Sequence, residues 1–490
     1  MGLVLVNAVV KGWYLGLNSL ANDEPFSVYH AQMDVGSIVR LLSTGNNPPL
    51  YEIVLHYWIQ IFGISEISVR FPSLIFSCIS VVFMFKIGKD FFNRRVAVMA
   101  SFVFIFSNYH IALTHESRVY ALLGCLALIS MYLYLGLHRR AEIGESAVDY
   151  SAFFVLGLVN TLLIYAHYFG FMFLLVQAIH AAMRHRIFRP YWKGVLIAVI
   201  TMLLLYLPNI PILLHRFSES AHGTWIPKPS FSSLYFMVVV FSNVPLMAVL
   251  FLLISMGWAF RRLLIVRNSS PVNLKSTFSK AGMGSKSSLQ LLMMWFWGIL
   301  LVMFAVSFTT PMFFERYLMV SAISFPLVLA VSIEHVIQHR ILQMGLYSLV
   351  GVLFVLTSTP SLTNNRNIRE TVKTIQQLHD SNTQIFICPD WLELNFIYYY
   401  DRNCFSDFNV VDIKKNIYRK LHSDQIFPVA NKSQVSKRLN PETKRILFLD
   451  DAADYHYPHN DIFEYLKAKA KPVKTIDLGN NLVLREFQTY

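Results

Sequence analysis

The chain has 490 residues, 55% hydrophobic and only 14% charged, where soluble domains carry about 25% charged side chains. So few polar side chains cannot cover a water-facing surface, which excludes a soluble enzyme, a disordered chain and a nucleic-acid-binding module. The net charge of +13 does not revive the last of these: from Ser361 onward there are 18 basic and 16 acidic residues, against 24 and 13 before it. The basic excess therefore sits in the apolar part, as loops on the cytoplasmic side of a membrane protein require.

Taken in chain order, the first apolar run, Met1 to Leu20, is interrupted by Lys11 and lacks a small-residue cleavage site. It reads as an anchor and not as a removed signal peptide. A polar-aromatic stretch, 21–69, follows as a first outer loop. Further spans are centred near Ser80, Phe104, Ala127, Leu158, Leu175, Leu203, Leu250, Leu301, Leu327 and Phe354, giving about eleven helices of roughly 20 apolar residues. Pro245 divides the Phe231 to Phe260 run, whose first half is expected along the interface.

Charge fixes the orientation. Lys86, Lys89, Arg94 and Arg95 share one loop, and His138, Arg139 and Arg140 open the next on that side. Arg184, Arg186, Arg189 and Lys193 occupy a third, and a fourth holds Arg261, Arg262, Arg267, Lys275, Lys280 and Lys286 with no acid among them. Placed in the cytoplasm, these loops put the N-terminus inside and the C-terminal region outside. Asp90, Glu142, Glu145, Asp149 and Glu334 then belong to cytoplasmic loops, where solvation accounts for them.

After Pro360 the composition becomes that of a small extracytoplasmic α/β domain, 361–490. Helices are expected at Ile368 to His379, Trp391 to Tyr400 and Ile462 to Ala470, and strands at Gln384 to Cys388 and Arg445 to Leu449. Val473 to Leu478 and Leu482 to Phe487 flank Gly479-Asn480-Asn481, a hairpin signal. A disulfide between Cys388 and Cys404 is the one pairing this compartment would permit. Asp450-Asp451 reads as a solvated turn. No Cys/His spacing indicates a metal site.

Acids are scarce before Pro360, so each can be weighed. Asp23-Glu24-Pro25 directly follows the first span. Glu116 sits in the short link His115-Glu116-Ser117-Arg118 between the third and fourth spans. A carboxylate held at the membrane surface is costly without a purpose; the bland alternative is a pair with Arg118 or a helix cap. After Asn47-Pro48-Pro49, the run Leu50 to Phe62 is too short to span. Tyr51, His56, Tyr57 and Trp58 suit a helix lying in the interface, ended by Gly63. His167 at a helix end reads first as a capping or buried packing residue and second as a sugar or acceptor contact, and Trp225 reads as an interfacial anchor.

The order of these motifs carries a resemblance. Asp-Glu after the first span, then Pro-Pro-Leu-Tyr, then Phe-Gly-x-Ser-Glu-x-x-x-Arg-Phe-Pro-Ser resembles the membrane-embedded GT-C glycosyltransferases. It is closest to the bacterial branch similar to protein O-mannosyltransferases and lipid A aminoarabinose transferases. His110 to Leu122, His167-Tyr168-Phe169-Gly170 and Glu315-Arg316-Tyr317-Leu318 are similar to further family landmarks.

The resemblance implies a multi-pass α-helical GT-C domain, 1–360, with the α/β domain outside the plasma membrane. It implies a polyprenyl-phosphate sugar donor and inverting transfer to a hydroxyl of a lipid, glycan or protein. No cofactor is implied beyond the donor, and a divalent metal is not indicated. Asp23 matches the acid proposed as general base, Glu24 its neighbour and Glu116 the second acidic position. Tyr51, Arg316 and Tyr317 match positions near the lipid phosphate. Relatives often carry His or Lys where this chain has Asn47, so phosphate charge falls to Arg70, Arg118 or Arg316. Of the adjacent acids, Asp23 is the better base, since neighbouring carboxylates seldom share one role. A flippase for a lipid-linked substrate would show inverted repeats, and none is seen. A non-catalytic scaffold would not depend on Asp23 and Glu116.

Overall fold

The computed structural model describes residues 1–490 except 21–22, 44, 46, 221–225, 269–285, 361–366, 406–412 and 480–481. Trp225, Lys275, Lys280, Ser361 at the expected domain boundary, and Asn480-Asn481 of the expected hairpin turn lie outside the described residues. The chain forms two compact units. One comprises Met1–Trp13, Val39–Tyr51 and Phe71–Pro360; the other comprises Tyr14–Ile38, Glu52–Arg70 and Ser361–Tyr490.

The first unit is helical. Among the described residues four helices are long and apolar enough to cross a membrane: Glu66–Phe91, Tyr120–Glu142, His185–Arg216 and Ser287–Val306. Three further pairs are bent, Arg94–Phe106 with Asn108–Thr114 by 61°, Phe231–Phe241 with Pro245–Phe260 by 103°, and Glu315–Ala322 with Phe325–Val336 by 46°. Gly2–Gly12, Tyr150–Ala166, Gly170–Met183 and Arg340–Leu356 are shorter apolar helices. The expected centres all fall in these helices. Proline lacks the N–H that would continue the ladder, and the chain turns sharply where Pro245 predicts a break.

Local chemistry sets the helix starts. Asn93 Oδ1 accepts from Val96 N at 2.9 Å and Asp149 Oδ1 from Ala152 N at 3.0 Å, each taking up an N–H with no partner inside its helix. Gly157 is required by close approach: a Cβ there would meet the Ala198 carbonyl oxygen at 2.7 Å. Small residues let helices pack this tightly in lipid, where dispersion replaces the hydrophobic effect.

Several polar side chains inside the unit bond one another across helices. Ser130 Oγ donates to Asn160 Oδ1 (2.5 Å), Asn160 Nδ2 to Gln177 Oε1 (3.2 Å) and Gln177 Nε2 to Ser130 Oγ (2.9 Å), a closed ring across three helices. Lys11, which weakened the first span in sequence, is buried; its Nζ donates to Ser77 Oγ at 3.0 Å and lies 3.9 Å over the Phe104 ring. Glu334 departs from the solvated reading. It is buried and takes two hydrogen bonds from Arg95, at 2.9 and 3.0 Å, and one from Tyr347 at 3.0 Å.

The second unit is built on a five-stranded sheet of order β2-β1-β3-β5-β4. Its strands are β1 (Thr383–Cys388), β2 (Ile426–Pro428), β3 (Arg445–Asp451), β4 (Ala470–Asp477) and β5 (Leu482–Thr489). β1 is parallel to β2 and β3, while β5 is antiparallel to β3 and β4. Phe386, Ile446, Phe448, Ile462, Leu466 and Phe487 form its core. Gly479, at φ +84°, supports the turn between β4 and β5.

Parts of the first outer loop pack into this unit. Leu20 N donates to the Tyr399 hydroxyl at 2.6 Å, Arg369 Nη2 to Glu66 Oε1 at 2.9 Å, and the Tyr398 hydroxyl to the Ile64 carbonyl. The sequence reading groups residues 21–69 with the membrane domain; these long-range bonds, invisible to local pattern, group most of them with the sheet. Two further expectations are corrected. Cys388 and Cys404 are both free thiols, Cys388 being buried at the end of β1. Asp450 and Asp451 end β3: Asp450 is bonded to Arg485, and Asp451 is buried.

Candidate active site

Six of the nine expected site residues come together in the helical unit. After the short helix Asn108–Thr114 the chain runs through His115–Arg118 before the helix Tyr120–Glu142 begins. Four contacts pin this link. His115 Nε2 bonds the Lys11 carbonyl at 2.6 Å, Ser73 Oγ donates to the Glu116 carbonyl at 2.8 Å, Tyr51 and Ser117 hydroxyls meet at 3.2 Å, and Arg316 Nη2 donates to Glu116 Oε1 at 3.2 Å. Glu116 thus has Arg316 as an ion-pair partner, a residue the bland reading did not name.

Arg316 and Tyr317 are carried on the short 3₁₀ turn Glu315–Leu318, steadied by the Tyr109 hydroxyl donating to the Glu315 carbonyl at 2.7 Å. Tyr317 packs against Phe169 (5.0 Å between ring centres) and His167 (5.7 Å). His167 ends the helix Tyr150–Ala166 and is buried. Its Nδ1 accepts from Phe169 N at 3.1 Å, which leaves the ring proton on Nε2. Burial, with the Arg118 charge beside it, pushes the His167 pKa down to about 3. The ring is therefore neutral, a hydrogen-bonding and packing group with no charge of its own.

The other three residues lie in the second unit. Glu24 opens the helix Glu24–Ala31, with Pro25 beside it in the first turn, where a proline costs no hydrogen bond. Glu24 and Arg70 are 2% and 1% exposed and form a two-pronged pair, Nε to Oε1 and Nη2 to Oε2, both 2.8 Å. Arg70 also donates to the carbonyls of Leu15 (2.9 Å), Asn18 (2.8 Å) and Ser19 (2.9 Å). All five of its N–H groups are taken, which is how so large a charge is tolerated away from water. Asp23, the preceding residue, is exposed. Two acids adjacent in sequence are thus in opposite situations, one committed to an arginine and the other facing outward.

Sequence reasoning missed Ser73, His115 and Tyr109 as supports of the link and the turn. Ser73 closes the quoted Arg-Phe-Pro-Ser motif and His115 adjoins Glu116, so position offered a signal. Their partners, the Glu116 and Lys11 carbonyls, did not. Among the described residues no cluster of three or more His, Cys, Asp or Glu could hold a metal ion.

Residues 46–212 match the family model described as dolichyl-phosphate-mannose-protein mannosyltransferase. No curated protein matches in sequence. Among solved structures, the chain is similar to ArnT from Cupriavidus metallidurans in the apo state, at 10% identity and TM-score 0.58, covering 99% of this chain and 97% of that one. The same protein bound to undecaprenyl phosphate matches with the same identity and coverage and a TM-score of 0.57. The Archaeoglobus fulgidus oligosaccharyltransferase, in complex with Zn and sulfate, matches at 10% identity and TM-score 0.55, covering 96% of this chain and 71% of that one. The apolar helices are those of a multi-pass membrane protein. The chain thus shares its fold with ArnT and with this oligosaccharyltransferase.

Proposed function

We propose that this protein moves a sugar from a polyprenyl-phosphate carrier to a hydroxyl of a lipid, glycan or protein at the outer face of the plasma membrane, with inversion at the anomeric carbon. The observation that carries the reading is the Glu116–Arg316 contact, which joins two expected site positions 200 residues apart in sequence. The undecaprenyl phosphate bound by ArnT supports the class of carrier. The basic loops support a cytoplasmic N-terminus and an extracytoplasmic sheet-bearing unit.

In this reading Asp23 removes the acceptor proton as the acceptor oxygen bonds to the anomeric carbon. The bond from that carbon to the phosphate oxygen breaks, and the carrier leaves as the phosphate with no need of a proton. A positioned base contributes about 10²–10⁴-fold to such a step. The division between an outward Asp23 and a committed Glu24 favours Asp23 as the base. Arg118 and Arg316 meet the developing phosphate charge, with Tyr51, His167 and Tyr317 shaping the surroundings and Glu116 orienting Arg316. Arg70, first offered for the phosphate, has no N–H left for it and instead fixes Glu24 beside Asp23. The deciding experiment is transfer from purified lipid-linked sugar by the detergent-solubilised chain. Asp23→Asn should lose about 10²–10⁴-fold in turnover, and near-normal turnover would overturn the assignment.

A further inference from the structure

The sheet order β2-β1-β3 of three parallel strands has a geometric consequence. The chain leaves β1 toward one side to form β2 and leaves β3 toward the other side to form β4. Connections that diverge in this way open a crevice outside the carboxyl ends of the two strands, where open α/β sheets bind ligands. Cys388 of β1 stands opposite Asp450 of β3, so the two loops leave the sheet at one level.

These loops carry the unit's unusual surface residues. Trp391 follows β1 and is 39% exposed; Tyr455 follows β3 and is 82% exposed. Both rings stand edge-on to His456, at 5.1 Å and 86° for Trp391 and 5.2 Å and 83° for Tyr455. Flanking carboxylates are steadied on one oxygen each. The Tyr457 hydroxyl donates to Asp390 Oδ1 and Asn460 Nδ2 to Asp454 Oδ1, both at 2.6 Å. The second oxygen of each has acceptor capacity to spare. The local potential is negative: burial first, then Asp450, Asp390, Asp454 and Asp451, push the Cys388 thiol up to about 12. Arg485 is already bonded to Asp450.

A negative crevice repels phosphates, nucleotides and acidic glycans. Aromatic faces take the C–H face of a sugar ring, and carboxylate oxygens accept from its hydroxyls. We propose that the crevice at the carboxyl ends of β1 and β3 is a carbohydrate-binding subsite for a neutral pyranose of a glycan, stacked on Trp391 or Tyr455 and hydrogen-bonded to Asp390 and Asp454. The inference deepens the transfer reading by naming a glycan as the ligand of the outer unit, and it stands on residues that reading does not use.

The test is binding of the full-length, detergent-solubilised chain to an array of neutral and sialylated oligosaccharides. Wild type should retain neutral glycans, while the double variant Trp391→Ala, Tyr455→Ala should lose at least tenfold. Asp390→Asn with Asp454→Asn, which keeps the aromatic surface, should also weaken binding. Unchanged melting of both double variants separates this from misfolding. Because Asp23→Asn is scored for transfer separately, failure of the transfer reading leaves the array result intact, and the converse holds. No retention of neutral glycans by wild type, preference for the sialylated set, abolition by a chelator, or equal binding by the aromatic variant would each overturn the proposal.

Discussion

Glu116 accepts from Arg316 Nη2 at 3.2 Å, and its side chain is 15% exposed against 19% for the arginine. The pair is neither a solvated surface bridge nor a fully enclosed one. It keeps a guanidinium aimed at a fixed place. Arg316→Lys retains the charge but loses the planar fork. It should lower turnover by about 10²-fold, the scale of losing one aimed donor, with a smaller change in KM. Glu116→Gln should do less, and the double variant should fall short of the product of the two. Full multiplicativity in a four-variant kinetic cycle would show that the residues act independently.

The supports of the link make a separate prediction. Ser73→Ala and His115→Ala leave the Glu116 and Arg118 side chains in place but remove the bonds to the Glu116 and Lys11 carbonyls. Misplacement near reacting groups can cost about 10²-fold, so turnover should fall with KM little changed. Ser73→Thr should restore most of it. Recovery of no activity by the threonine variant would argue that Ser73 acts through packing and not through its hydroxyl.

Glu24 and Arg70 predict a stability effect. Removing one partner of a buried pair strands the other charge and costs about 3–5 kcal/mol. Glu24→Gln and Arg70→Leu should each lower the melting midpoint in detergent well beyond the change seen for Asp23→Asn. A midpoint for Glu24→Gln equal to wild type would mean the pair is absent in solution.

His167 gives a pH signature. Its folded pKa of about 3 lies below the ordinary 6.5, so the unfolded chain takes up the proton first as pH falls. Its contribution to stability is therefore complete above about pH 6.5 and is lost as pH falls toward 3. Melting measured across that window should decline less steeply for His167→Gln than for wild type. Between pH 7 and 8 no His167 limb should appear in the rate profile.

Much of this was legible in sequence where the signal was local. Pro48-Pro49 before it and Gly63 after it bound the helix Leu50–Phe62, and Gly63 adopts φ +72°, a conformation only glycine takes readily. Pro245 likewise announced a bend, though not its 103° size. What could not be read were choices among distant partners. Glu334 sits in sequence among polar residues near a basic loop, and nothing local says that Arg95 returns to bury it. β2 is only three residues long and becomes a strand by pairing with β1, not by its own pattern. At the candidate site, the residues proposed for the chemistry were nameable from motif order. The split of Asp23 from Glu24 was not, because it depends on where an arginine 46 residues onward is folded.

That split also sets the local charge balance. Glu24 and Arg70 offset one another's formal charge, while Asp23 beside them is exposed. Replacing Arg70 with a neutral residue would do more than loosen a fold contact. It would leave the buried Glu24 carboxylate without its two-pronged partner, one residue from Asp23.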